Sequence, residues 1–360
     1  MRALPPHHLL FVKDGTLFCA RAYDGIMTKT LAVVRLNRIK ENAIEIINRA
    51  EGKPLYAVVK DDAYGHGAAA VAAALSGIAS AFCVSTVEEG VALRLAGTGE
   101  KILVFTPPLT QEEAVRAAWY ALTPSVTSLS SLNLLLRAGY KGEAELKLDT
   151  GMNRYGLTGR SLTAALHFLR ESEITVTGAY SHLYAPEDAE ATRIQRKRFV
   201  ALTEAVKAVY PDITLHLAAT GGILAGRENF FDAVRSGIAL YGYLPNGFAG
   251  RANVKPAMKT YAAVAASRRF SGGGVGYARA DKEYGALTTL RVGYGDGYFR
   301  SGKEGVLGKL CMDAAVTEGR GKFATRRLLT GNAEEYAREA GTTAYEALLR
   351  MGANAEKRYV

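Results

Sequence analysis

Cysteine is scarce and scattered: the 360 residues hold three, Cys19, Cys83 and Cys311, with no CxxC and no Cys/His ligand spacing. That excludes a disulfide scaffold and a structural zinc site, no metal is expected, and a reduced, cytoplasmic setting is favoured. Long apolar runs are lacking too. Leu9, Leu10, Phe11 and Val12 are cut off by Lys13 and Asp14 before they reach the length of a signal-peptide core, so no secretion signal is expected. The uncharged stretch Ala68–Val87 is mostly Ala, Ser and Gly with a Ser76-Gly77 break, and reads as a buried helix followed by a strand rather than a membrane span. Acidic residues fall short of basic ones, 35 against 45, for a net charge of +10. Such a balance attracts anions, from nucleic acid to a phosphorylated cofactor. No run of five basic residues, recognition helix or RNA-binding aromatic signature accompanies it, so nucleic acid is not an expected partner.

What is present is enough apolar sequence, 48 % of residues, for a large core. From Asn37 to about Tyr241, short apolar or β-branched runs alternate with amphipathic stretches, the signature of βα units around a parallel sheet. Eight strands are predicted: Leu55–Val59, Ala81–Ser85, Lys101–Phe105, Leu122–Val126, Ala144–Leu148, Thr175–Ser181, Thr214–Ala218 and Ala233–Ser236. Helical patterns lie between them, including a Thr110-x-x-Glu113 capping box opening Glu112–Ala121, and the run Asp188–Val209. Eight repeats in this length predict an α/β fold, a (β/α)8 TIM barrel over 37–245, with an open doubly wound sheet as the alternative. Beyond Tyr243 the rhythm changes to Gly-rich turns and strands at Lys259–Ser267, Ala286–Tyr294 and Val306–Thr317, then helices at Asn332–Gly341 and Thr343–Met351. This predicts a second, mainly β domain over 246–360. The strand Leu31–Leu36 is expected to join it from an N-terminal extension, 1–36, whose first 26 residues show no clear periodicity.

Reactive groups of such a barrel project from the C-terminal ends of its strands. There the sequence places Lys60 after strand one, Lys147 and Asp149 on strand five with Arg154 following, Ser181-His182 after strand six, Thr220-Gly221-Gly222 after strand seven and Arg235-Ser-Gly237-Ile238 at strand eight. Backbone N–H groups and a hydroxyl after strands seven and eight suit a phosphate. An amine flanked by cations and shielded from water is a nucleophile toward an aldehyde. Together they point to pyridoxal 5'-phosphate.

Six ordered motifs then carry a resemblance: Ala57-Val-Val-Lys60-Asp-Asp-Ala-Tyr64-Gly-His-Gly67; Lys147-Leu-Asp-Thr-Gly-Met-Asn-Arg154-Tyr-Gly156; Ser181-His182; Val234-Arg235-Ser-Gly-Ile-Ala-Leu-Tyr-Gly242; Val275-Gly-Tyr277 with Val292-Gly-Tyr294-Gly-Asp-Gly-Tyr298; and Gly308-Lys-Leu-Cys-Met312-Asp313. From about residue 28 to its end the chain resembles the alanine racemase family. The resemblance implies interconversion of L- and D-alanine, supplying D-alanine for cell-wall peptidoglycan, by a two-base pyridoxal-phosphate mechanism. Lys60 would hold the cofactor covalently and act as the base on one face of the substrate Cα. Tyr277, from the β domain of a partner subunit in a homodimer, would act on the other face, because racemisation removes a proton on one side and returns it on the opposite one.

The same resemblance sets Arg235 against the pyridine nitrogen and His182 as the brace of that arginine. It gives the phosphate to Tyr64, Thr220, Gly237, Ile238 and Tyr345, and sets Arg154 toward the cofactor's phenolic oxygen and the substrate. Tyr294, Met312 and Asp313 would line the substrate entrance from the neighbouring subunit, with the Met312 N–H near the substrate carboxylate. Lys147 would be carbamylated and orient Arg154. Departures from the family pattern are Asp61 and Asp62 in place of a small residue and Asn, Ala219-Thr220 for Asn-Ser, and a shortened Ala314–Arg327 that bears on dimerisation. Racemisation of serine or another amino acid, and a pyridoxal-phosphate-binding regulator on the same barrel, are the alternatives. The regulator needs no Tyr277 or Met312.

Overall fold

The computed structural model describes residues 10–13, 16–19, 27–300 and 305–360. In chain order the strands are β1 (Leu10–Lys13), β2 (Thr16–Cys19), β3 (Thr30–Val34), β4 (Leu55–Val58), β5 (Ala81–Val84), β6 (Lys101–Val104), β7 (Thr123–Val126), β8 (Glu143–Lys147), β9 (Thr175–Tyr180), β10 (Thr214–His216), β11 (Val234–Ser236), β12 (Met258–Arg268), β13 (Gly274–Val275), β14 (Ala278–Arg279), β15 (Leu287–Leu290), β16 (Ala315–Glu318), β17 (Arg326–Thr330) and β18 (Glu356–Tyr359). They divide into two units: one of Ile39–Ala63 and Val71–Lys255, the other of residues up to Arg38 with Tyr64–Ala70 and Pro256–Val360.

In the first unit all eight predicted strands form, as β4 to β11, in one parallel sheet of order β10-β9-β8-β7-β6-β5-β4-β11. Strands β4, β5 and β7 are buried at every residue. That is why they read as short continuous apolar or β-branched runs: a parallel strand covered on both faces cannot alternate with polar residues. The sheet closes on itself rather than staying open. The backbone N–H of Arg235 donates to the Ala218 carbonyl at 2.9 Å, and that of Asp232 to the Leu215 carbonyl at 2.9 Å, joining β11 to β10. The doubly wound alternative is thereby set aside.

The intervening helices start where side-chain oxygens can take up their free N–H groups. Thr86 and Glu89 form a full capping box ahead of Val87–Leu95. Ahead of Gln111–Trp119 only half of the predicted box forms: Thr110 accepts from the Glu113 N–H at 3.1 Å. The Glu113 carboxylate instead accepts from the Leu109 N–H, at 2.6 Å, one residue before the cap. Asp188 caps Ala189–Lys207. The stretch Ala68–Val87 forms a helix, Ala68–Leu75, and then β5. Among the described residues no helix is long and apolar enough to cross a membrane.

The second unit is built on the eleven-residue β12, which pairs antiparallel with β3 and β17 along its first half and with β15 along its second. Strand β18 adds parallel to β3, and β16 antiparallel to β15. Two parts differ from the sequence expectation. Ala286–Tyr294 is strand only over β15 and ends in a 3-10 turn at Tyr294–Asp296. Val306–Thr317 is not one strand: single bridges tie Val306 to Thr317 and Lys309 to Gly276, and regular pairing is confined to β16. Six glycines from Gly293 to Gly308 precede or open this run, and Gly308 within it interrupts the strand that the apolar pattern suggested. The shortened Ala314–Arg327 segment retains β16 and the start of β17.

One barrel position ties fold to chemistry. Gly178 on β9 faces Glu145 on β8 in the ladder, and a Cβ there would lie 2.7 Å from the Glu145 carboxyl carbon. Gly178→Ala should therefore cost about 1–3 kcal/mol through overpacking, seen as a lower urea midpoint with an unchanged slope. An unchanged midpoint would show that the carboxylate has room to move.

Candidate active site

Lys60 follows β4 and opens a turn of unusual backbone. Asp61, Asp62, Ala63 and Tyr64 all have φ between 53° and 55°, the left-handed region that a side chain resists. The turn is held from outside: Glu89 accepts from the N–H groups of Asp61 and Ser85, each at 2.6 Å. Asp61 in turn lies 3.5 Å from the Lys60 ammonium, whose side chain is 37 % exposed. The negative charge expected from this departure is thus beside the amine.

Arg235, on β11, is 2 % exposed. Its NH1 donates to His216 Nδ1 at 2.7 Å and to the His216 carbonyl at 2.9 Å. Its NH2 donates to the carbonyls of Ser181 at 2.5 Å and Leu217 at 2.9 Å. His216 Nε2 lies 2.7 Å from Glu145, and Glu145 3.0 Å from the Lys101 ammonium, which also reaches Thr177 at 2.8 Å. His216 stacks on Tyr180, ring centroids 5.0 Å apart. Burial pushes the imidazole down to about 4, and Glu145 falls to about 2 because His216 and Lys101 outweigh its own burial. At neutral pH the chain is a carboxylate, a neutral imidazole and a guanidinium.

His182 does not brace Arg235: its ring makes no hydrogen bond among the described residues, and His216 occupies that role. The sequence reading placed only His182 at a strand end; the β10 register, which sets His216 beside Tyr180, brings the other histidine to the arginine. Burial first, and then the nearby positive charges of Arg235, Lys147, Arg154 and Lys60, push His182 down to about 3. Four cations of the predicted rim are thus gathered around one neutral imidazole.

Lys147 is 5 % exposed, donates to the Leu148 carbonyl at 3.0 Å, and sits 5.3 Å from the Tyr180 ring centre. Asp149 accepts from the N–H groups of Gly151, Met152 and Asn153 and so shapes the loop that carries exposed Arg154. Thr220 opens the helix Thr220–Ala225 and its hydroxyl lies 3.1 Å from that of Ser236, a residue the sequence reading passed over. Gly237 precedes the 3-10 turn Ile238–Tyr241, whose Tyr241 hydroxyl donates to the Val58 carbonyl at 2.8 Å.

The remaining expected residues belong to the second unit. Tyr64 and Tyr345 face each other there, ring centroids 6.2 Å apart. Tyr294 and Met312 are brought together: the Tyr294 N–H donates to the Cys311 carbonyl at 3.0 Å and that of Gly295 to the Met312 carbonyl at 2.7 Å. Gly293 permits this approach, since a Cβ there would meet the Met312 carbonyl oxygen at 2.2 Å. The Gly276–Lys309 bridge sets the Tyr277 loop beside the same segment, which also carries Asp313. Tyr277 is 69 % and Met312 60 % exposed.

A family model described as the N-terminal domain of alanine racemase matches residues 34–245. The alanine racemase of Carboxydothermus hydrogenoformans is 31 % identical over 313 residues, 80 % of this chain and 84 % of that one. Among solved structures, the alanine racemase of Clostridium difficile 630 superposes with a TM-score of 0.85 at 25 % identity, covering 93 % of this chain and 96 % of the other. That of Bartonella henselae, with covalently bound pyridoxal phosphate, gives 0.78 at 25 % identity, covering 93 % and 100 %.

Burial, with Arg235 close by, lowers Lys147 from 10.5 to about 7. Between those values the folded chain holds less of this proton than the unfolded chain does, so stability gains from Lys147 as pH rises through the window and is least favoured below about 7. The stability of wild type relative to Lys147→Met should accordingly rise between pH 7 and 10 in urea titrations. In carbon-dioxide-free buffer, where the amine is uncarbamylated, a flat difference would refute its burial.

Proposed function

Because the chain belongs to the alanine racemase family, we propose that it is a pyridoxal-phosphate-dependent racemase interconverting L- and D-alanine, with 37–245 as the cofactor-binding barrel and 246–360 as the domain that completes the site. The observation that carries this reading is the rim itself: one lysine at the end of β4, a hydroxyl pair at Thr220 and Ser236, and a buried guanidinium, all on one barrel. The donor set suits the cofactor. Both terminal nitrogens of Arg235 are fully engaged and its Nε–H has no acceptor among the described residues, which leaves one donor for a ring nitrogen. The first turn of Thr220–Ala225 offers N–H groups without helical partners to a phosphate.

The bound cofactor supplies an electron sink for the electron pair left at the substrate Cα. Lys60 would hold it and carry the proton on one face; Tyr277 of the partner subunit would carry the proton on the other. Arg235, a permanent cation, would keep a proton off the ring nitrogen it faces, and a less electron-withdrawing ring disfavours side reactions such as transamination. Thr220, Gly237, Ile238, Tyr64 and Tyr345 would hold the phosphate. Arg154, with a carbamylated Lys147 as its orienting anion, would serve the substrate side. Tyr294, Met312 and Asp313 would line the entrance in the partner's mouth. A phenol acts as a base at neutral pH only where cations stabilise its phenolate, and Arg154 and Arg235, the two permanent cations near His182, would supply that field.

L-Alanine incubated with the loaded protein should lose optical rotation, with L-serine as the comparison substrate. Borohydride reduction followed by peptide mapping should place the cofactor label on Lys60. Label on another lysine would remove Lys60 from its role, and rotation that persists would refute the activity.

The homodimer with shared sites has its own test. Lys60→Ala and Tyr277→Phe chains should each be inactive alone. Mixed, they should recover up to about a quarter of wild-type activity per protomer, because a randomly paired mixed dimer holds one site with both bases intact. A wild type that is fully active as a monomer in sedimentation, with no complementation in the mixture, would assign the second base to the same chain.

A further inference from the structure

Arg235 has no carboxylate among its direct hydrogen-bond partners. They are three carbonyl oxygens and one imidazole nitrogen, all neutral acceptors. The carboxylate lies one residue further out: Glu145, fully buried, on the far nitrogen of His216. Behind it stands Lys101, the first residue of β6 and therefore at the N-terminal end of the barrel strands, opposite to the rim that carries Lys60. Lys101 is steadied by Thr177 and lies 3.4 Å from the half-exposed Glu143.

The order of these groups fixes a proton. A guanidinium only donates, so His216 Nδ1 must accept from Arg235 and the imidazole proton must sit on Nε2, where Glu145 accepts it. We propose that Glu145, ion-paired with Lys101, is a positioning residue that holds His216 in its Nε2–H tautomer, so that Arg235 stays a cation with only neutral direct partners and a fixed direction. The inference rests on the reading of Arg235 as the group that faces the cofactor ring, and adds two residues to it, Glu145 and Lys101. A carboxylate set directly on Arg235 would cancel much of the charge it presents to a ligand; the intervening imidazole keeps the anion at a distance while still orienting the guanidinium.

Glu145→Gln separates this from a structural ion pair. Lys101 only donates, so it would take the amide oxygen, leaving the amide NH2 to face His216 Nε2. That nitrogen must then accept, and its proton moves to Nδ1, against Arg235 NH1. Removing the lysine as well, in Glu145→Gln with Lys101→Met, frees the amide to turn its oxygen toward His216 and restores the original tautomer. The experiment is 15N NMR of histidine-labelled, cofactor-free protein, with the His216 signals assigned by His216→Gln.

The expected result is a protonated Nε2 in wild type, a protonated Nδ1 in Glu145→Gln, and recovery of the wild-type pattern in the double variant. After loading with pyridoxal phosphate, the single variant should show a ratio of transamination to racemisation raised by roughly tenfold, the scale on which such supporting partners act, and the double variant should reverse it. His216 signals indifferent to both substitutions would overturn the proposal. So would a tautomer that switches while the reaction ratio stays within twofold. If Glu145→Gln alone fails to fold, the proposal stands or falls on the double variant, which must show the wild-type tautomer. A wild type that racemises nothing yet gives the expected His216 pattern would sink the activity and leave the tautomer assignment standing.

Discussion

A guanidinium closed inside a barrel is the constraint around which the catalytic half of this molecule is arranged. Taking an ion of that size out of water costs several kcal/mol even after the protein relaxes. Arg235 recovers this through four hydrogen bonds whose acceptors come from the ends of β9 and β10, Ser181, His216 and Leu217. The same strands must therefore end in register, and the β10–β11 closure by Arg235 N–H to Ala218 holds them there. Gly178 belongs to the same requirement, since only a residue without a side chain leaves Glu145 its volume. Fold and electrostatics are one problem at this point: the closure that shuts the barrel also supplies the carbonyls that solvate its charge.

The strained turn after Lys60 shows the complementary arrangement. Left-handed backbone at residues with a Cβ costs of order 1–3 kcal/mol each, and persists only where its surroundings over-determine it. Here one carboxylate, Glu89, clamps Asp61 and Ser85 while also completing the cap of its own helix. A single acidic residue thus anchors the helix after β5 and the turn after β4. Lys60 is delivered at the start of a rigid feature rather than on a mobile loop, the condition for an amine that has to hold one geometry.

Legibility in the sequence followed burial. The barrel strands could be read because parallel strands covered on both faces leave unbroken apolar runs, and two of the helices because Thr110 and Asp188 mark their beginnings. The motif lysines, arginine and rim hydroxyl were legible through their positions after those strands. His216 and Glu145 were not. A charged residue within a strand reads as a solvent-facing position, and nothing local to β8 announces that its glutamate is paired from β6 and β10. β17, with two arginines, and β18, charged at three of its four residues, were missed for a related reason: edge strands carry no apolar period, and their identity comes from pairing with β12 and β3. The Val306–Thr317 run failed the other way, apolar enough to suggest a strand but too rich in turns to form one.

The second unit spends its glycines on bringing three distant motifs together. Gly276, Gly293 and Gly308 each allow a backbone approach that a Cβ would block, and the segments they join carry Tyr277, Tyr294 and Met312. A packing explanation for Tyr277 and Met312 fails on burial, because both are largely exposed although the Met312 carbonyl accepts from the Gly295 N–H, and Gly276, next to Tyr277, bridges to Lys309. Large side chains held out on such a backbone would lose little freedom if a partner covered them, as the proposed dimer requires. On the proposed function, a barrel that gathers cations around one neutral histidine and a sheet that presents a phenol and a thioether would each supply what the other lacks. Under the proposed two-fold dimer each chain would give its sheet to its partner's barrel and receive the same in return, so that a single self-complementary arrangement would complete both sites at once.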